Sequence, residues 1–127
     1  MKLNPDCIRD ILLFIEDKTD LSTPVRISPN SIPKALSSYP SNELMYHIKQ
    51  LELSSLIHVL SWTMDGSATI HYLLPEGHAF LANIEPESQW NKFKNIFMEL
   101  GIKSLPSIIS FSAEYMEKIG SAYINKM

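Results

Sequence analysis

Residues 72–84 read YLLPEGHAFLANI, and their hydrophobic rhythm changes halfway along. Tyr72-Leu73-Leu74 has the composition of a strand end, and Pro75 cannot extend a ladder because it lacks an N–H. Phe80, Leu81 and Ile84 then recur at helical spacing, which predicts a helix over 76–84. Upstream, LIHVLSWTMDGSATIHYLL (56–74) carries β-branched and aromatic residues on both sides of Asp65-Gly66, the dipeptide preferred in a two-residue type I′ turn. Pairing Met64 with Ser67 across that turn directs Ile57, Val59, Ile70, Tyr72 and Leu74 to the core and His58, Leu60, Trp62, Thr69 and His71 away from it.

The elements before the hairpin follow from capping and periodicity. Asn4-Pro5 reads as an N-cap with proline at the first helical position, and Ile8, Ile11, Leu12 and Ile15 give an amphipathic helix that ends near Asp17. Pro24 and Pro29 bracket a short edge strand over 25–28. A second short helix, capped by Asn30 or Ser31, holds Ile32, Leu36 and Tyr39 and tolerates Pro33 in its first turn. In the third helix Leu44, Ile48 and Leu51 point inward while Glu43, Tyr46, His47 and Gln50 point outward. Helix, strand, two helices, hairpin and returning helix is the order of a winged helix-turn-helix domain, so the expected class is α+β, mostly α, with the hairpin as wing.

Residues 1–85 make up this core, and 86–127 form a helical extension. Trp90, Phe93, Phe97 and Leu100 mark a fifth helix stopped by Gly101, and Ser104 caps a final helix from Leu105 to Ile124. Its apolar surface, which includes Phe111, Tyr115, Met116, Ile119 and Tyr123, is broad enough either to pack on the core or to form a homodimer contact.

The 127 residues hold one cysteine, so no internal disulfide and no thiolate cluster can form. No run is apolar enough to span a bilayer and no secretory leader is legible, which predicts a cytoplasmic protein. The net charge of −3 is unevenly distributed. From Ala35 to Asn91 Lys49 is the one cation against Glu43, Glu52, Asp65, Glu76, Glu85 and Glu87, and the basic residues lie toward the two ends of the chain.

Three phrases, NPDCIRDILLFIED (4–17), YHIKQLELSSLI (46–57) and LLPEGHAFLANIEPESQWNKFK (73–94), resemble the family catalogued as domain of unknown function 2513, small proteins often carried by phages and prophages. The resemblance spans about residues 3–94, and its most specific element is Glu76-Gly77-His78-x-Phe80-Leu81 followed by Trp90. Ser54-Ser55 stand where that family usually has Ala-Gly. The resemblance implies a winged-helix-like core and a mobile-element origin; it implies no catalytic residues.

A winged helix that reads DNA would use Asn42, Tyr46, His47, Lys49 and Gln50 in the major groove, with lysines and arginines neutralising phosphates. The acidic middle segment opposes that use and favours a protein partner, from host or phage, met by Asn42, Glu43, Tyr46, His47, Gln50 and Asp65. A protein that presents carboxylates where phosphates would sit could inhibit a nucleic-acid-handling system. The four histidines lack metal-ligand spacing. His78 is expected to bond backbone or pack beside Trp90, and Cys7 to serve as a small packing residue. The sequence therefore predicts a non-enzymatic interaction protein with no cofactor and no metal.

Overall fold

The structure, a computed structural model, describes residues 1–125, so the last two residues of the expected extension lie outside the described residues. Helix α1 (Pro5–Lys18) starts as expected: the Asn4 side chain accepts hydrogen bonds from the N–H groups of Asp6 and Cys7, and Pro5 occupies the first turn. Its stripe of Ile8, Ile11, Leu12 and Ile15 is fully buried. Strand β1 (Val25–Ile27) follows. The expected second helix is only a 3₁₀ turn, Lys34–Leu36, because Pro33 and Pro40 leave too few residues between them for an α-helix. Its apolar residues keep their role: Leu36 is buried, and Ile32 and Tyr39 pack on the core.

Helix α2 (Ser41–Leu53) buries Leu44, Ile48 and Leu51 as the periodicity predicts. It ends without glycine. Ser55 takes a left-handed conformation, φ 59°, which lets the Leu56 N–H donate to the Leu51 carbonyl at 3.0 Å and close the helix end.

Strands β2 (Ile57–Trp62) and β3 (Ala68–Leu73) form the hairpin, and β1 pairs antiparallel with β3 to give a three-stranded sheet of order β1-β3-β2. The turn differs from the expected type I′ geometry. Thr63 rather than Met64 faces Ser67, leaving a three-residue loop in which the Gly66 N–H donates to the Thr63 carbonyl and Gly66 has φ 85°. This is a turn with a glycine bulge. The register is therefore one residue off, with Trp62 opposite Ala68. Irregularities follow at His58/Val59 and Val59/Ser61, so Leu73 is buried with Ile57 and Ile70, while Tyr72 and Leu74 are only half-buried.

Helix α3 (Pro75–Ile84) returns across the core and buries Phe80, Leu81 and Ile84. Helix α4 (Glu87–Leu100) buries Trp90, Phe93 and Phe97 and stops at Gly101 in a left-handed conformation. Helix α5 (Leu105–Asn125) folds back over α3 and α4 through its first half, burying Leu105, Ile108 and Ser112. The whole is α+β and mostly helical.

A serine held at positive φ is strained relative to glycine. Replacing Ser55 with glycine removes that strain but adds freedom to the unfolded chain. Ser55→Gly is expected to raise stability by about 0.5–1 kcal/mol, read as a higher urea midpoint at unchanged slope; a lower midpoint contradicts this account of the α2 terminus.

Candidate functional site

The residues ahead of α1 are pinned to α2 by one asparagine. Asn4 Nδ2 donates to Glu43 Oε1 at 2.9 Å, and the Asn4 backbone N–H donates to His47 Nε2 at 2.8 Å. Because Nε2 accepts, the ring proton sits on Nδ1, which faces the Glu43 carbonyl at 2.6 Å. His47 is fully buried, which corrects the expectation that it belongs to the outward face of this helix. Its periodicity looked outward because its partner, the start of the chain, is invisible to local spacing.

Other expected contact residues are also engaged within the chain. Asp65 Oδ1 accepts from the Thr63 hydroxyl and from the Ser67 N–H, the latter at 3.1 Å, and these turn bonds hold its carboxyl below the usual range. Lys49 donates to Glu52 at 2.9 Å and lies over the Trp62 ring, whose N–H donates to the same carboxylate oxygen at 3.0 Å. Asn42 is exposed, and Tyr46 and Gln50 are half-buried.

Tyr46 and Gln50 form one wall of an open groove of about 720 Å³. The segment Met1–Leu3 lies along it, the end of α4 supplies Phe97 and Met98, and Ile102 with Leu105 and Ile108 completes the apolar lining. Lys2, Lys94 and Lys103 border it, and none of its lining residues among those described is Asp or Glu. Sequence reading missed the lysines because they come from distant parts of the chain. The remaining signal was Ile102, an apolar residue stranded between the Gly101 stop and the Ser104 cap.

Asp6 ties one residue of the groove, Lys94 of α4, to α1. Its carboxylate accepts from the Trp90 indole N–H at 2.8 Å and pairs with Lys94 at 3.0 Å. Partial burial raises its pKa, but the Trp90 and Lys94 bonds and the charges of Lys94 and Arg9 outweigh that, and the net direction is down.

The remaining expected residues lie elsewhere. Phe111 and Tyr115 pack edge-on against Phe93 of the same chain, with ring centroids 5.5 and 5.0 Å away, and Met116 Sδ accepts from Gln89. Three of the five expected dimer residues are thus used internally, while Ile119 and Tyr123 stay exposed. His78 is exposed and faces Glu16 at 3.9 Å instead of packing beside Trp90. His58 and His71 are neighbours across the hairpin, ring centroids 5.5 Å apart, each with an unpartnered Nδ1 among the described residues. No three His, Cys, Asp or Glu side chains among the described residues gather where a metal could be held. Burial, with the nearby carboxylates of Glu43 and Asp10, pushes the Cys7 thiol up to about 12, so it is a packing group and not a nucleophile.

A family profile described as "Hypothetical protein (DUF2513)" matches residues 2–103. The chain belongs to the DUF2513 family. It is also similar, at 26% identity over 129 residues, to an uncharacterized protein of Haemophilus influenzae strain Rd, with all of this chain and 98% of the relative aligned. No solved structure matches it. The matched region reaches Lys103, so it covers most of the groove as well as the sheet and α1 to α4.

Because the folded pKa of Asp6 lies below its unfolded value, the carboxylate stabilises the fold above the unfolded value, and the contribution is lost as pH falls through the folded one. Asp6→Asn should cost about 0.5–1 kcal/mol at pH 7, a small figure because the side chain is half-exposed. The difference from wild type should shrink and close as pH falls below the ordinary aspartate range and the folded carboxylate protonates. Urea unfolding followed by tryptophan fluorescence checks this, and a pH-independent difference contradicts it.

Proposed function

We propose that this protein acts by binding another protein, of host or phage origin, and that the groove beside α2 is its contact surface. One observation carries the reading: an open, mostly apolar groove of about 720 Å³, one of whose bordering lysines, Lys94, is held by Asp6. Pre-formed concave apolar surfaces with few polar groups are where partners anchor side chains. The finer architecture belongs to the same proposal. The order α1, β1, 3₁₀ turn, α2, hairpin, with sheet order β1-β3-β2, supports a winged-helix core in which the short second helix has shrunk to one turn.

The groove supports partner binding better than the acidic middle segment does. Of the six carboxylates there, Glu43, Glu52 and Asp65 bond within the chain, and the exposed Glu76, Glu85 and Glu87, along α3 and the start of α4, do not line the groove. One observation favours duplex DNA as a second reading. Lys2, Lys94 and Lys103 line the groove with Tyr46 and Gln50, adding positive charge beside α2, whose one lysine, Lys49, is paired with Glu52.

Met98 lines the groove and is 82% exposed, so its substitution does not disturb the core. Affinity capture from a bacterial lysate should retain a protein on the wild type and lose it on Met98→Asp. Equal retention by both would contradict the groove reading, and salt-sensitive duplex binding at nanomolar concentration would favour the DNA reading.

A further inference from the structure

The groove differs in charge from the rest of the molecule. In a protein of net charge −3, its lining carries three lysines and, among the described residues, no carboxylate. Lys94 is already paired with Asp6, whereas Lys2 and Lys103 have no ion-pair partner among the described residues. Between these lysines the lining is apolar: exposed Met98 and half-buried Ile102 lie over the buried side chains of Phe97, Leu105 and Ile108.

Two apolar occupants can be compared on this charge. The first is the bare end of α5 from a second copy. At 3.6 residues per turn, Leu105, Ile108, Ser112, Ile119 and Tyr123 lie within an arc of about 60°. The first three are buried, while Ile119 is 43% and Tyr123 67% exposed. That stripe could reach a neighbouring molecule, but the charged residues of α5, Glu114, Glu117 and Lys118, share the opposite face, so it presents no carboxylate of its own. Seated in the groove, it would leave the lysines of the border without a carboxylate to face. The second occupant is a foreign helix whose apolar anchors are flanked by Asp or Glu, which matches both the floor and the border.

We infer that the groove takes an acidic amphipathic helix from a partner protein, with apolar anchors seated between Phe97, Ile102 and Leu105 and carboxylates facing Lys2 and Lys103. This rests on the reading of the groove as the contact surface and names the chemistry of the segment it binds. Helix-in-groove recognition uses anchors spaced i, i+3/i+4 and i+7, and the flanking charge selects among helices of equal apolarity.

The test uses three labelled 18-residue helical peptides and the full chain, read by fluorescence anisotropy at physiological salt. One peptide has leucine anchors flanked by glutamate, the second has the same anchors flanked by lysine, and the third has glutamate with serine in place of leucine. The acidic leucine peptide is expected to bind roughly tenfold or more tightly than either control. Its affinity should fall with added salt, with Met98→Asp, and with the double variant Lys2→Glu/Lys103→Glu. Equal binding of acidic and basic peptides, or no binding by the acidic one, overturns the inference. If lysate capture still depends on Met98 in that case, the groove remains the contact surface and only the assigned chemistry fails. A sedimenting dimer that Met98→Asp and Ile119→Asp each dissociate would also overturn it, by assigning the groove to a second copy.

Discussion

Gly77 approaches the backbone of Leu56 so closely that a Cβ built on it would lie 2.0 Å from the Leu56 carbonyl oxygen. The same oxygen accepts the Leu74 N–H at 2.9 Å. Three elements therefore meet at one point: the entry to β2, the exit of β3 and the first turn of α3. This contact sets how deeply α3 sits, and Phe80, Leu81 and Ile84 reach the core only at that depth. α3 in turn packs against α1 and supports α5. Arg9 reinforces the seat from α1 by donating to the carbonyls of Ile84 and Glu85 at the other end of α3. Glycine is required here for space, since its backbone is that of an ordinary helix.

Much of this was legible in the sequence. The helices could be read because their burial follows their own periodicity: Ile8 to Ile15, Leu44 to Leu51, and Trp90 to Phe97 are buried as spaced. The stop at Gly101 and the cap at Asn4 were equally local. The hairpin register was not, because Asp65-Gly66 suits two turn geometries. Asp65 here bonds the Ser67 N–H and Gly66 takes the bulge position, a choice that shifts the register by one next to the turn, and the irregularities at His58/Val59 and Val59/Ser61 alter it further along the ladder.

The candidate site was less legible, because its residues answer to long-range partners. His47 and Glu43 sit on the polar side of α2 by spacing, yet both bond Asn4, about forty residues away in the chain. Tyr46 and Gln50 are half-buried at the groove, and the lysines that line it with them, Lys2, Lys94 and Lys103, come from distant parts of the chain. A linear tally of charge thus gave α2 an acidic setting, while in the folded chain the groove beside it is bordered by lysine. Likewise Phe111 and Tyr115 looked surplus to one helix packing, and in fact complete an aromatic cluster with Phe93 and Phe97.

The dependence of the fold on the Gly77 contact is open to one direct measurement: the urea unfolding free energies of Gly77→Ala and Gly120→Ala beside the wild type. Gly120 lies within α5 with nothing within 4 Å of a built Cβ, so alanine there should stabilise by up to about 1 kcal/mol through helix propensity alone. Gly77→Ala carries the same propensity gain but must push α3 off Leu56, and should lose at least roughly 2–3 kcal/mol or the cooperative transition altogether. A Gly77→Ala protein as stable as the wild type would mean that α3 does not sit against Leu56 as described, and that the core is organised by some other contact.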